Sequence, residues 1–367
     1  MIRGAIAKIN LNALEHNYKI AKKITQNRPV IAVVKADAYG HGAVEISRKL
    51  SLLGADYLAV AFSEEAKELR DSQIESPIIV LFDCDLRDIF KYNLIPVIYD
   101  KRSVRFLSKE AEKYNKTIDL HIKVDTGMGR LGIPVENAHR DIIEIANLKN
   151  IKIEGIMSHF SEADNPDSSF SLEQIERFKK LKERLSKEGL KIRNFHMANS
   201  AAILSLPDSY FDSVRPGIML YGYTSIKRDN FENPLKPVMS LTTNIISLRR
   251  LKKDTPISYG RTFITKRESL IGVVKMGYAD GFNRLLSNCA YVIVKGKRVP
   301  IVGTVCMDLM MVDLTDLENV GENEEVVIIG RQGNESIDAD ELASWAKTIP
   351  YEVLTSLGSR AKRVYED

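Results

Sequence analysis

The sequence predicts an α/β protein, with an N-terminal (β/α)8 barrel over residues 1–235 and a mostly β domain over residues 236–367. Three observations predict it. Short runs rich in Val and Ile alternate with amphipathic segments from residue 10 to about residue 220, and strands that alternate with helices pair in parallel with both sheet faces covered. Eight such runs can be counted, the number that closes a barrel. After "NPLKPVM" at 233–239 the helical period largely vanishes and alternating strand patterns replace it,. An open, doubly wound sheet is the alternative to the barrel.

The runs, in order, are "VIAVVK" (30–35), "YLAVA" (57–61), "IIVLF" (78–82), "PVIY" (96–99), "IDLHIKV" (118–124), "IEGIMSH" (153–159), "RNFHMA" (193–198) and "SVRPGIML" (213–220). Between them lie helical patterns such as "SEEAKELRD" and "SLEQIERFKKLKERLSKEG". The second opens on a serine with a glutamate near the third helical position and stops at glycine, the signals of a capped start and a left-handed end. In the second half, "LTTNIISLRRL", "SLIGVVKMGYADG", "AYVIVKGKRVPIVGTVCMDLMMVDL" and "EEVVIIG" predict strands. "VKGKRV" predicts a hairpin around Gly296, and "DADELASWAKT" one late helix.

With 367 residues, 44% hydrophobic and 28% charged, the chain has ample material for a core,. Its 53 basic and 49 acidic residues leave a formal charge of +4, too mild and too scattered for a nucleic-acid surface. The one basic run, "LRRLKK" at 248–253, reads as a solvated strand or turn. Cys84, Cys289 and Cys306 form no CxxC pair, so neither a disulfide framework nor a zinc site is expected, and a reducing cytoplasm fits. The start, "MIRGAIAKIN", lacks an apolar stretch of signal-peptide length. No run of about 18 apolar residues predicts a membrane span.

In a parallel barrel the functional groups stand where strands run into the loops that follow them. Lys35 ends the first run, His159 the sixth, and Asn199 and Ser200 follow the seventh; Arg215 and Gly217 lie in the eighth. Lys123 and Arg130 flank the glycine-rich "KVDTGMGRLG". Lys35 is the sharp case. A lysine backed by apolar surface has its pKa lowered from about 10.4, which frees the amine to act as a nucleophile or Schiff-base former. The plainer reading is a lysine snorkelling out from a strand end. Ser200 opens a predicted helix and Gly217 admits a close backbone approach, both suited to an anion; a simple helix cap and a tight turn are the alternatives. On position alone, Arg215 reads as a salt-bridge residue and His159 as a satisfied core histidine.

The segment "AVVKADAYGHGA" closely resembles the pyridoxal-phosphate-binding segment of bacterial alanine racemases. The segments "KVDTGMGRLG", "SHFSEAD", "HMANSAA", "VRPGIMLYG", "SYGRTF", "GYADGFNR", "GTVCMDLMMVD" and "YEVLTSLGSR" resemble that family's further landmarks, in its order and over nearly the whole chain. The resemblance implies a barrel carrying pyridoxal 5′-phosphate, a C-terminal β domain, no metal, and a homodimer whose two sites each borrow residues from the partner. It implies that Lys35 bonds the cofactor covalently and later serves as one catalytic base. Tyr39, Ser200, the backbone of Gly217 and Ile218, and Tyr351 would then hold the phosphate, and Arg215 would face the pyridine nitrogen.

An arginine does not give up its proton at ordinary pH, so a ring nitrogen facing it can only accept a hydrogen bond. The ring is then a weaker electron sink than one facing a carboxylate, which suits inversion of a single centre. The resemblance further implies Tyr259 of the partner as the base on the opposite face, tuned by His159, and Arg130 and the partner's Met307 backbone as ligands of the substrate carboxylate. Lys123 matches a position that carries a carbamate in many relatives. Asp308 would support the loop beside Met307, and Tyr278 resembles an entrance residue. The expected activity is the interconversion of L- and D-alanine for peptidoglycan. A broader racemase that also takes serine, a fold-type III decarboxylase of basic amino acids and a non-catalytic cofactor carrier are the rivals; Arg215, Tyr259 and the second domain argue against the last two.

Overall fold

The chain opens on a strand, β1 (Ile6–Asn10), whose partners lie far along the sequence: it pairs antiparallel with residues 239–242 and parallel with residues 362–366. The computed structural model describes residues 4–165, 167–226 and 233–367. Residues 1–3, the start of the "MIRGAIAKIN" segment, lie outside them. The chain divides into two units. One comprises Leu14–Ala38 and Ala43–Lys236; the other comprises Met1–Ala13, Tyr39–Gly42 and Pro237–Asp367. The residues up to Ala13, which the sequence places in the barrel half, therefore group with the strand-rich unit, because β1 finds its ladder there. Position along the chain carries no signal for so distant a pairing.

In the first unit, seven strands lie in parallel: β2 (Ile31–Val33), β3 (Tyr57–Phe62), β4 (Ile78–Asp83), β5 (Leu94–Ile98), β6 (Ile118–Asp125), then, after the two-residue β7 (Ile133–Pro134) that flanks β6, β8 (Ile151–Met157) and β9 (Asn194–His196). Their order follows the sequence, since each strand pairs with the next one along the chain. Residues 213–216 close the ring. Ser213 bridges His196, Val214 bridges Val30, and Val214 O and Pro216 O accept from Ile31 N–H and Val33 N–H at 2.9 and 3.0 Å. The eighth run is thus not the strand that 213–220 predicts. Pro216 has no N–H to give a ladder, and Ile218–Tyr221 turn into a 3-10 helix. The result is a curled barrel whose last stave is held by bridges alone. β2 is apolar on both faces, with all three residues buried,.

The helix expected from "SLEQIERFKKLKERLSKEG" spans Ser169–Lys187, and its capping side chain is Ser168, one turn earlier than the serine that the sequence favours. Ser168 Oγ accepts from Ser171 N–H at 3.2 Å, and the helix stops at Gly189 with φ +80°,.

The second unit is built on one long strand, β10 (Met239–Leu251), with short β11 (Pro256–Ile257) and β12 (Phe263–Ile264), then β13 (Ser269–Val274), β14 (Tyr291–Val294), β15 (Lys297–Pro300), β16 (Met310–Asp313), β17 (Glu325–Gln332), β18 (Glu335–Ile337) and β19 (Lys362–Glu366). A register shift between Ile245 and Ser247 lets β10 pair with β1 and β17 in one half and β13 in the other,. The predicted hairpin joins β14 to β15 through Lys295 and Gly296, both at positive φ, the geometry that matches strand twist,. The late helix spans Ala339–Ala346, with Asp338 accepting from Glu341 N–H at 2.9 Å. Among the described residues no helix is long and apolar enough to cross a membrane.

Candidate active site

Lys35 begins a turn that winds the wrong way. Ala36, Asp37 and Ala38 have φ/ψ near +52°/+50°, and Tyr39 has φ +55°, so the chain makes one left-handed helical turn. L-residues resist this by roughly 1–2 kcal/mol each, so the turn must be held from outside. Ala36 N–H donates to Glu65 Oε1 at 2.6 Å, Ala38 N–H to Val34 O at 2.9 Å, and Asp37 Oδ1 accepts from Ala43 N–H at 2.7 Å. These bonds fix how Lys35 leaves β2. Alanine-rich "KADAY" gives no local hint of this hand.

Lys35 Nζ lies 5.3 Å from the centroid of the Phe82 ring, and Lys123 Nζ lies 5.9 Å from the same centroid. Both amines are pulled below the ordinary lysine range, Lys123 to about 8, first by burial and then by the Arg130 guanidinium,. Arg130 follows a loop organised by one carboxylate: Asp125 accepts from Gly127, Met128 and Gly129 N–H at 2.8–2.9 Å. The glycine-rich stretch is therefore a backbone nest around Asp125, with Lys123 before it and Arg130 after it.

Arg215 is 4% exposed and bonds only neutral acceptors. Its Nη2 donates to Ser158 O at 2.6 Å, Met197 O at 3.0 Å and His159 Nδ1 at 3.3 Å; its Nη1 donates to His196 Nδ1 at 2.7 Å. The salt bridge that position alone suggests for Arg215 is not formed among the described residues. Its Nε–H finds no acceptor among the described residues. Burial without a compensating carboxylate pulls it down to about 9, still a cation at neutral pH. His159 is held well below its ordinary value by burial, then by Arg215, Lys123, Arg130 and Lys35. All five predicted residues thus share one electrostatic neighbourhood in the barrel unit.

Ser200 and the 217–218 backbone also come together. Asn199 caps the helix Ser200–Ser205, accepting from Ala202 N–H at 3.0 Å, so the cap considered for Ser200 belongs to its neighbour. Ser200 Oγ accepts from Gly217 N–H at 2.8 Å and from Met219 N–H at 3.3 Å. Two helix starts, each with orphan N–H groups, are therefore tied side by side.

In the strand-rich unit, Tyr39 is buried with its ring centroid 6.0 Å from that of Tyr351. Burial, then Tyr351, pushes the Tyr39 phenol up. Tyr259 is 72% exposed and Met307 54% exposed. The turn that presents Tyr259 has Ser258, Gly260 and Arg261 at positive φ, and is braced by the segment that carries Met307: Ser258 Oγ donates to Thr304 O at 2.6 Å, and Thr304 Oγ1 donates to Tyr259 O at 2.9 Å. Tyr278 N–H and Ala279 N–H donate to Cys306 O and Met307 O at 3.0 and 2.9 Å. Arg360 ties this turn to the loop, donating to Asp280 and Asp308 at 2.9 and 2.8 Å.

Residues 9–225 match the model of the alanine racemase N-terminal domain, and residues 238–365 that of the C-terminal domain. The chain belongs to the alanine racemase family. It is 54% identical to the alanine racemase of Thermodesulfovibrio yellowstonii, over 100% of this chain and 98% of that one. Among solved structures it is similar to the alanine racemase of Bartonella henselae with covalently bound pyridoxal phosphate (TM-score 0.90, 32% identity, 100% of both chains). It is also similar to that of Bacillus anthracis with bound L-Ala-P (TM-score 0.91, 34% identity, 100% of this chain and 96% of that one).

In this member of the alanine racemase family, sequence reasoning missed Phe82, Glu65, Asp125 and His196. Phe82 looks like one more apolar strand residue and His196 like a core histidine. Only the glycines after Asp125 hinted that its carboxylate had N–H groups to gather.

Proposed function

We propose that this chain racemises alanine with pyridoxal 5′-phosphate held in the barrel unit. The observation that carries the reading is the cluster of Lys35, Lys123, Arg130 and Arg215, in which Arg215 bonds no carboxylate and two amines are held below their ordinary range. Lys123 and Arg215 are buried, Lys35 is half-buried and Arg130 is exposed. The carboxylates that act on the lysines, Glu65 and Asp125, are fewer than the cations, so the cluster calls for an anionic ligand, and a lysine with a lowered pKa suits covalent capture of an aldehyde. The residues fit the cofactor. Lys35 would bond its aldehyde, Ser200 with the Gly217 and Ile218 backbone and the Tyr39–Tyr351 pair would hold its phosphate, and Arg215 Nε–H would donate to its ring nitrogen. Bound there, the cofactor supplies an electron-withdrawing ring that acidifies the substrate α-carbon.

Lys35 Nζ then takes or returns the proton on one face of that carbon. Tyr259 Oη does so on the other face, from a second copy of the chain, within a homodimer in which Met307 N–H of that copy meets the substrate carboxylate. Arg130 binds the same carboxylate with its planar fork, and a carbamate on Lys123 would orient Arg130. The exposure of Tyr259 and Met307 in the single chain supports their use by a partner. Three free cysteines support a reducing cytoplasm as the setting,, where the product D-alanine would feed peptidoglycan.

The test is a racemisation assay on L-alanine, L-serine and L-lysine, followed by borohydride reduction and peptide mapping. The expected outcome is loss of optical activity without loss of alanine, and a reduced adduct on Lys35. Release of carbon dioxide, or an adduct at another lysine, overturns the reading.

A further inference from the structure

Behind Arg215 runs a buried chain of two more histidines. Arg215 Nη1 donates to His196 Nδ1 at 2.7 Å, and His196 Nε2 lies 2.7 Å from His121 Nδ1. His121 and His196 have no solvent exposure. A guanidinium only donates, so His196 Nδ1 must carry a lone pair and its proton must sit on Nε2. That proton is donated to His121 Nδ1, which places the proton of His121 on its own Nε2. The donor–acceptor pattern alone thus fixes both tautomers and makes both rings neutral.

We propose that His121 and His196 are positioning residues that hold Arg215 as an uncancelled cation. The proposal rests on reading Arg215 as the partner of the cofactor ring nitrogen. A carboxylate in the place of His196 would orient the guanidinium equally well but would neutralise it. A neutral imidazole orients it and leaves the positive charge whole, so the ring nitrogen has every reason to stay unprotonated. His196 serves only in the tautomer with a bare Nδ1, and His121 selects that tautomer by offering an acceptor to Nε2–H.

Two further observations support a built device. In the register of β6 on β8, His121 lies opposite Gly155. A Cβ at Gly155 would sit 2.7 Å from His121 Cε1 and 2.8 Å from both His121 Nδ1 and Asn194 O, so a strand interior carries glycine, a residue that weakens it, where this ring and the next strand's backbone both press close. His121 Nε2 is buried without an acceptor among the described residues, a costly arrangement that an apolar side chain of similar size would avoid. Its ring packs edge-on with that of Tyr57, the centroids 6.2 Å apart, and the Tyr57 hydroxyl donates to Glu154 at 3.1 Å. A pair of histidines kept only to fill the core would not need this cascade.

The test uses the holoenzyme labelled with 15N-histidine. The nitrogen spectrum at pH 7 is expected to show His121 and His196 neutral and protonated on Nε2; an Nδ1 proton or a charged ring at His196 overturns the proposal. The second readout is pyruvate released per racemisation turnover on alanine, the product formed when the amino group stays on the cofactor. His196→Asp should raise that ratio by about tenfold or more, as a carboxylate partner makes a protonated ring nitrogen accessible, whereas His196→Asn, a neutral acceptor, should keep the wild-type ratio. Equal ratios in the two variants overturn the proposal, and if His196→Asp fails to fold, the wild-type tautomers decide. An Arg215→Lys variant with an unchanged ratio would instead overturn the underlying reading of Arg215, while the histidine tautomers stand.

Discussion

Lys35 directs its Nζ at the face of Phe82, 5.3 Å from the ring centroid. Lys123 approaches the same ring at 5.9 Å. A ring face attracts an ammonium and not a neutral amine, so Phe82 opposes the desolvation that lowers both lysines. Replacing the ring with an aliphatic side chain removes that opposition. Phe82→Leu should therefore shift the midpoint for pyridoxal phosphate capture toward lower pH by about half a unit, the equivalent of a cation–π contact of about 0.5–1 kcal/mol. The absorbance of the lysine-bound cofactor, followed from pH 6 to 10, checks it. A midpoint that stays or rises removes Phe82 from the site.

Ser200 Oγ is the acceptor for two backbone N–H groups, those of Gly217 and Met219. Ser200→Ala leaves them buried without an acceptor, which costs about 1–3 kcal/mol of stability. Affinity for pyridoxal phosphate should fall by about tenfold, the effect of losing one hydrogen bond of about 1.4 kcal/mol. Unphosphorylated pyridoxal should bind as before. Equilibrium titration with both aldehydes measures the difference, and an equal loss for both would place Ser200 outside the phosphate site.

Lys123 is drawn down to about 8 by burial and by Arg130. Only the neutral amine attacks carbon dioxide, so carbamate formation should climb as pH rises through 8 and be slight at pH 6.5. Nuclear magnetic resonance with 13C-bicarbonate should show one carbamate signal with that dependence, absent from Lys123→Met. A signal that is flat with pH, or that survives the substitution, excludes Lys123 as its bearer.

The barrel strands were legible because a strand buried on both faces reads as an unbroken apolar run, and the strand-rich half because its period changes after residue 233,. Lys35, His159 and Arg215 were legible as polar residues at strand ends. The closing stave at 213–216 was misread, since "SVRPGIML" is as apolar as any strand and only Pro216 argues otherwise. The left-handed turn at 36–39 was invisible, because its stabilising partners, Glu65 and Ala43, are supplied by the fold and not by the turn. His196 was hidden in the same way. Its bond to Arg215 joins residues nineteen positions apart, and no local pattern announces such a pair.

Tyr259 offers the sharpest test of how the site is completed. Its side chain is 72% exposed, and its hydroxyl bonds no group among the described residues. Tyr259→Phe should therefore leave stability within about 0.5 kcal/mol, and cofactor absorbance should remain. If the phenol is one of two bases, racemisation should fall by about 10²–10⁴-fold, more steeply in the direction that draws the proton toward tyrosine. Assaying the L-to-D and D-to-L directions separately, with solvent deuterium uptake at the α-carbon, resolves the two faces. Because Lys35 would act from one chain and Tyr259 from the other, mixing Lys35→Ala with Tyr259→Ala subunits rebuilds one intact site in each hybrid dimer. Activity should return toward a quarter of the wild-type value for an equimolar mixture, since about half the dimers are hybrids with one of two sites whole. Undiminished racemisation in Tyr259→Phe would remove the second base, and confirmed hybrids without activity would remove the sharing of residues between chains.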